Sequence, residues 1–155
     1  MNTLQLDVTD KKILALLQTD AKMSIKEIAE QVNMTKTPIY DRIRRLEEQG
    51  IIEKYVALVN RKKVDGGMLV FCSVSLEVQK LPEIEAFKKE ILQIPEVMEC
   101  YLMGGANDFL LKVIVKDLDA YHQFSSGKLA ALKNVSQIKS TFVLDVVKKS
   151  TVLNL

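Results

Sequence analysis

Two helix starts and one firm helix stop crowd into the stretch Ser24–Gly50, and this punctuation constrains the fold more than anything else in the chain. Ser24 is followed three residues later by Glu27, a capping box that opens a short helix to Gln31. Asn33 suits a tight turn because its side chain tolerates left-handed backbone. Thr35 is placed to cap a second helix, Pro38 falls in its first turn where a missing N–H costs nothing, and Gly50 supplies a left-handed stop. In that second helix Ile39, Ile43 and Leu46 recur at helical spacing and form a buried stripe. At about 100° per residue, Thr37, Asp41 and Arg44 point away from it, while Tyr40 and Arg45 flank it. Two short helices joined by a tight turn, the second basic and exposed, form an arrangement that reaches into the major groove of DNA.

The rest of the chain supplies a scaffold. Thr9 caps an expected helix over Asp10–Gln18 whose Ile13, Leu14, Leu16 and Leu17 make a broad apolar stripe. Ile51–Val59 reads as a strand able to hold a wing and lead out of the domain. Arg61–Gly67 is polar and glycine-terminated, a linker. Beyond it the pattern predicts a strand over Leu69–Val78, with Cys72, Val74, Leu76 and Val78 on one face, and a helix over Pro82–Leu92 with Ile84, Phe87, Ile91 and Leu92 inward. A strand over Val97–Met103, a turn at Gly104–Asp108 rich in residues that accept positive φ, and a central strand over Phe109–Val115 follow. Asp117 caps a helix over Leu118–Leu132, interrupted by Gly127, and Ile138–Val147 is the last strand. Strand, helix, strand, strand, helix, strand is the split βαβ, ferredoxin-like order. A weak repeat, Leu92–Val97 against Leu129–Val135, supports it. The fold class is therefore α+β: an N-terminal winged helix-turn-helix (1–53), a strand and linker (54–67), and a ferredoxin-like βαββαβ domain (68–155). One sheet face lies under the helices. The other carries Phe71, Leu110, Lys112 and Ile114, too apolar to stay wet, and calls for a partner subunit.

Composition bears on function mainly by exclusion. The net charge is only +2, and residues 1–60 carry nine Lys/Arg against nine Asp/Glu, so any DNA signal must be local. It gathers at Arg42, Arg44 and Arg45, and again at Arg61, Lys62 and Lys63. Hydrophobic residues at 48% suffice for a packed core. The opening residues show no basic region followed by an apolar run, and no apolar stretch approaches the ~18 residues of a membrane span. A cytoplasmic protein with no membrane association is expected. Cys72 and Cys100 read as two buried thiols. His122 is the only histidine and reads as a helix-surface residue, so neither a metal site nor a Ser-His-Asp triad has its partners. No cofactor and no catalytic residue is expected.

The candidate DNA interface comprises Thr35, Lys36, Thr37, Pro38, Tyr40, Asp41, Arg42, Arg44 and Arg45. Hydroxyls and free N–H groups near a helix N-terminus can donate to phosphate. Arginines can read guanine edges or clamp phosphate. Asp41 would be costly on a purely electrostatic surface, and a carboxylate there can accept from a cytosine amine or orient an arginine. The glycine turn admits two readings. One is a plain hairpin connection; the other is a nest of N–H groups for a carboxylate, with Asp108 meeting an α-ammonium.

Asp10-Lys-Lys-Ile-Leu, Ser24-Ile-Lys-Glu-Ile-Ala and Thr37-Pro-Ile-Tyr-Asp-Arg-Ile-Arg-Arg-Leu-Glu-Glu-Gln-Gly-Ile-Ile resemble the winged helix-turn-helix of the Lrp/AsnC ("feast/famine") regulators. Gly105-Ala-Asn-Asp-Phe-Leu-Leu-Lys112 is similar to that family's Gly-Asp-x-Asp-Tyr-Leu-Leu-Lys turn. Asp119-Ala-Tyr and Ser140-Thr-Phe-Val-Leu-Asp-Val-Val-Lys148 match its last helix and strand. The resemblance spans nearly the whole chain, in order. It implies a transcriptional regulator of double-stranded DNA, a homodimer assembling to an octamer or wrapped disc, tuned by a small amino acid bound between dimers. It assigns Gly105, Asn107 and Asp108 to the effector pocket, with Met103 and Ser140 as neighbours. Ala106 stands where the family has an aspartate. One carboxylate fewer weakens the case for a leucine-type site and leaves open a different ligand or none; an apolar or sulfur-containing amino acid is the expected effector, since Leu102, Met103 and Ala106 offer no second charge. Two rival functions remain: a sirohaem-type tetrapyrrole decarboxylase on the same scaffold, and an amino-acid sensor without DNA binding. The first would want more histidines, and the intact basic helix argues against both.

Overall fold

The computed structural model describes residues 5–155; residues 1–4, which open both the expected first domain and the stretch read as lacking a leader, lie outside the described residues. The chain divides into two compact units. One runs to Leu58 and takes in Lys148–Leu155; the other is Val59–Val147.

The first unit holds three helices, α1 (Val8–Thr19), α2 (Ile25–Gln31) and α3 (Lys36–Glu48). Helix α1 starts earlier than Thr9 would allow. Asp7 is its cap, in a capping box with Asp10: the Asp10 N–H donates to Asp7 Oδ1 at 2.8 Å and the Asp7 N–H to Asp10 Oδ2 at 3.3 Å. Asp outcompetes Thr here because its carboxylate both accepts the free N–H and favours the positive helix end. Ser24 and Glu27 form the expected box on α2. Asn33 takes φ 55° in the turn between α2 and α3. Gly50 at φ 67° closes α3, with both bonds of a Schellman stop in place: Gly50 N–H to Glu47 O at 2.9 Å and Ile51 N–H to Leu46 O at 2.9 Å. Ile13, Leu14, Ile28, Ala29, Ile39, Ile43 and Leu46 form the buried core.

No ladder forms over the expected strand Ile51–Val59. Ile51 and Ile52 fold back onto the Leu46 carbonyl, and the residues after them stay exposed. A strand exists only through a partner's hydrogen bonds, and within this chain the segment is held instead by a side chain, Tyr55. The tail 148–155 returns to this unit. The side-chain amide of Gln18 pairs with Leu153 twice, accepting its N–H at 2.7 Å and donating to its carbonyl at 3.2 Å.

The second unit is a four-stranded antiparallel sheet in the order β2-β3-β1-β4, built from β1 (Met68–Leu76), β2 (Val97–Leu102), β3 (Phe109–Val115) and β4 (Val135–Phe142). Helix α4 (Leu81–Ile91) and α5 (Leu118–His122), which runs on as a π-helical turn over Gln123–Leu129, cover one face. The core is Val70, Cys72, Val74 and Leu76 from β1 and Phe109, Leu111, Val113 and Val115 from β3, under Phe87, Ile91, Tyr121, Phe124 and Leu129. As its nearly continuous apolar run implies, β3 is an inner strand. The expected Leu118–Leu132 helix loosens at His122, where wider hydrogen-bonded rings let Gly127 pass without a break. Leu92 is exposed rather than inward because α4 ends just before it. Strand β4 stops at Phe142, opposite Val70; the Val143 N–H still donates to the Leu69 carbonyl at 3.0 Å, and the expected strand does not continue to Val147. Cys72 is buried, but Cys100 is exposed on the edge strand β2, which has a neighbour on one side only. Phe71, Leu110, Lys112 and Ile114 line the other face and are half-buried in the single chain.

Gly67 opens β1 at φ 63°, and a Cβ there would stand 2.1 Å from the carbonyl oxygen of Val115. Gly67→Ala is expected to destabilise the second unit by about 2 kcal/mol through backbone strain and that collision, read as a lower midpoint in urea unfolding.

Candidate nucleic-acid interface and effector turn

Helix α3 presents two different faces. Lys36, Thr37, Tyr40, Asp41 and Arg44 are exposed together, opposite the buried Ile39, Ile43 and Leu46. Thr35 caps by position, but its hydroxyl makes no capping bond. Pro38 is half-buried in the first turn. Arg44 reaches along the helix to Glu48 at 3.4 Å.

Arg42 and Arg45, grouped with Arg44 in the expected interface, are only part-exposed and lean toward α1 instead of joining that outer face. Arg42 Nη1 donates to Asp7 Oδ2 at 2.6 Å and to Asp10 Oδ1 at 2.7 Å. Arg45 Nη2 donates to both oxygens of Asp10, at 2.8 and 2.7 Å. Asp10 is only 1% exposed. A carboxylate removed from water to that degree is stable only when paired and hydrogen-bonded, and here two guanidiniums supply the pairing. Asp7's carboxyl is held below its ordinary value of 3.8, first by the Asp10 N–H and then by Arg42. The Arg42 guanidinium is pushed up by the same acids, Asp7 foremost. The signal was present in the sequence: Arg42 is three residues after Ile39 and four before Leu46, at the edge of the buried stripe, with Arg45 three residues on. What was missing was any hint that Asp10, read only as the first residue of the expected helix, would stand opposite.

A second contact, with no forewarning in the residue pattern, holds the segment after α3. The Tyr55 hydroxyl donates to Glu47 Oε1 at 2.7 Å, and its phenol is pushed up to about 12 by burial and by that carboxylate. Tyr55 thereby joins Tyr40, Arg44 and Glu47 around a cavity of about 300 Å³ beside α3.

In the second unit, Met103, Gly105 and Ala106 are exposed at the β2–β3 turn and Asn107 and Asp108 are half-buried. No residue of Gly104–Asp108 lies at positive φ, so the alternating nest of N–H groups is not formed. Asp108 is committed to the fold: its Oδ2 accepts the Leu76 N–H at 2.7 Å, and its own N–H donates to Val74 O at 3.0 Å. Asn107 Oδ1 lies 3.5 Å from the Ser75 hydroxyl. Ser140 stands opposite Cys72 in the β1–β4 register and shares its hydroxyl with Tyr121, whose hydroxyl is also 3.4 Å from Cys72 Sγ. Burial first, and Cys72 next, push the Tyr121 phenol up to about 12. The turn residues are thus brought together, while Ser140 serves the helix-covered side of the sheet. His122 is exposed, with Nδ1 3.4 Å from the Ser126 hydroxyl. Among the described residues no group of three or more His, Cys, Asp or Glu is placed to hold a metal, and no helix is long and apolar enough to cross a membrane.

Comparison with known proteins matches both units. Residues 6–53 fit the winged helix-turn-helix DNA-binding family, and residues 69–153 fit the Lrp/AsnC ligand binding domain. The chain is 41% identical to the Bkd operon transcriptional regulator of Pseudomonas aeruginosa, over 90% of this chain and 92% of that one. It is 36% identical to the leucine-responsive regulatory protein of Escherichia coli, over 94% and 88% of the two chains. Among solved structures, a transcriptional regulator from Neisseria meningitidis in complex with L-methionine superimposes with a TM-score of 0.90 at 32% identity, covering 96% of each chain.

Asp10→Ala removes the shared acceptor of two arginines that are only part-exposed. It is expected to destabilise the first unit by about 2–4 kcal/mol, below the cost of stranding fully buried charges because the guanidiniums can rehydrate, measured by urea unfolding. Asp7's folded value is lowered, so its contribution is complete above pH 3.8 and is lost as pH falls through the lowered value. The stability gap between the wild type and Asp7→Asn is therefore expected to close in acid below pH 3.8.

Proposed function

The chain belongs to the Lrp/AsnC family of DNA-binding transcriptional regulators, and from that premise we propose that α3 is its recognition helix, with Thr35, Lys36, Thr37, Pro38, Tyr40, Asp41 and Arg44 at the operator and Arg42 and Arg45 as the helix's internal supports. The observation that carries this reading is the division of α3 into a face locked to Asp10 and a face left to solvent. Thr35 and Thr37 hydroxyls and Lys36 suit phosphate; Tyr40 and Arg44 suit base edges. A second copy of the chain covers the sheet face of Phe71, Leu110 and Ile114, and the dimer's symmetry sets each α3 on one half-site of a pseudo-palindrome. Dimers assemble further to an octamer. The protein works in the cytoplasm and needs no cofactor.

The effector is a small amino acid, apolar or sulfur-containing, held near Met103, Gly105, Ala106, Asn107 and Asp108 between dimers. The L-methionine complex of the Neisseria meningitidis relative and the leucine response named for the Escherichia coli relative support that ligand class. Because one oxygen of Asp108 already accepts the Leu76 N–H, its second oxygen is the acceptor available to an ammonium. Ser140 acts through Tyr121, as a support of the sheet behind the site.

Arg44→Ala is expected to weaken operator binding by about 1–3 kcal/mol, the worth of a bidentate base contact, in a mobility-shift titration. Unchanged affinity removes Arg44 from the interface. Calorimetric titration of the assembled protein with each of the twenty amino acids is expected to give heat with L-methionine or an apolar relative. Silence with all of them ends the effector reading and leaves the DNA reading intact.

A further inference from the structure

Asp41 is the residue on the outer face of α3 that the fold leaves unexplained. It is exposed, and among the described residues it has no ion-pair or hydrogen-bond partner. Its neighbours on the helix are otherwise employed. Arg45, four residues on, is turned to Asp10, and Arg44, three residues on, is drawn to Glu48 at 3.4 Å. Most other carboxylates of the first unit are engaged within it. Asp7 and Asp10 hold arginines, Asp20 accepts the Lys22 N–H, Glu27 closes a capping box, Glu30 faces Lys26, and Glu47 takes the Tyr55 hydroxyl. Asp41 sits past the first turn of α3, where the helix dipole no longer favours a negative charge and aspartate is a poor helix former. It gains nothing from the local fold.

With Arg42 and Arg45 withdrawn, the charge of that face changes meaning as well. Lys36 and Arg44 are matched by Asp41 and Glu48. An interface built for phosphate attraction alone would be weakened by an unpaired carboxylate pushed into a groove lined with anions. Such a group is accommodated where a base edge offers it a donor. In the major groove the donors are the cytosine N4 and adenine N6 amino groups, and adenine's own N7 acceptor lies beside its N6 and repels a carboxylate's second oxygen.

We propose that Asp41 determines sequence specificity, accepting a hydrogen bond from the N4 amino group of one cytosine in each half-site. This rests on the reading of α3 as the recognition helix. It makes discrimination on this face a matter of hydrogen-bond complementarity, and the carboxylate penalises every base pair that presents only acceptors at that position.

The test uses the full-length protein and an operator selected from random DNA. Each cytosine of one half-site is replaced in turn by a 2-pyrimidinone nucleotide, which lacks the 4-amino group, and affinities are measured by fluorescence anisotropy for the wild type, Asp41→Ala, Asp41→Asn and Arg44→Ala. At one position the analogue is expected to weaken the wild type roughly 5- to 150-fold and to change Asp41→Ala by less than about twofold, the loss of coupling that marks a direct contact. Asn pairs with adenine N6 and N7, so Asp41→Asn is expected to shift its preference from cytosine to adenine at that same position. Thermal melts of Asp41→Asn should match the wild type and those of Asp41→Ala should be no lower, because the side chain supports nothing and Ala is the better helix former. Base preferences unchanged in both Asp41 variants but altered in Arg44→Ala overturn the role of Asp41 and leave the recognition helix standing. Preferences unchanged in all three variants overturn both. A wild-type requirement for adenine in place of cytosine at the position sensed by Asp41 overturns the assignment of the base.

Discussion

A buried carboxylate is the fixed point of the first unit. Asp10 does three things that would each be marginal alone. It completes the capping box of α1, it accepts from Arg42, and it takes both of its remaining acceptor directions to Arg45. Removing a lone carboxylate from water is prohibitive, and one buried pair often gains little over an apolar contact. Shared between two guanidiniums and a helix start, the charge becomes a geometric constraint: α1 and α3 have one mutual rotation that satisfies it. The apolar core of Ile13, Ile28, Ile39, Ile43 and Leu46 would tolerate small rotations. The charge cluster does not, and it thereby decides which residues of α3 meet the solvent.

The second unit reaches rigidity by the opposite route. Its core is almost wholly apolar, and the polar exceptions are joined to one another: Cys72, Tyr121 and Ser140 form a chain of partners that runs from β1 through α5 to β4. On the opposite face, Lys112 donates to Glu99 Oε1 at 2.5 Å, and the Tyr101 hydroxyl binds the other oxygen of Glu99. That face is thus apolar at Phe71, Leu110 and Ile114, with Lys112 and Glu99 matched to each other and Lys139, opposite Ser73, on the outer strand β4.

Much of this was legible in residue patterns because the relevant physics is local. Ser24–Glu27, Asn33 and Gly50 specify backbone geometry within a few residues, and the structure has each as expected. Alternation in β1 and the apolar run of β3 identified the inner strands, since burial on a pleated strand has a period of two. What escaped depends on distant pairing. Thr9 and Asp7 are both sound caps, and beyond its capping bond the Asp7 carboxylate is held by Arg42, 35 positions away, a pairing that no local pattern announces. The fate of Ile51–Val59 depends on whether a partner strand exists. In the candidate site, the type and spacing of α3 residues separated core from surface, but Arg42 and Arg45 lie at the border, where helical angle alone cannot say which way a long side chain leans. At the β2–β3 turn, glycine content suggested positive φ, yet a turn five residues wide has other ways to close.

The pairing of Gln18 with Leu153 gives the DNA-binding unit an unusual relation to synthesis. Chains fold as they emerge, and the three helices and their core are available once the first sixty or so residues are out. The segment that Gln18 binds arrives only after the whole βαββαβ unit has been made. The first unit to take shape is therefore the last to be completed. Its boundary is not a point in the sequence at which it can be cut and exchanged: grafted onto another regulator by its N-terminal residues alone, it would leave its own outer strap behind.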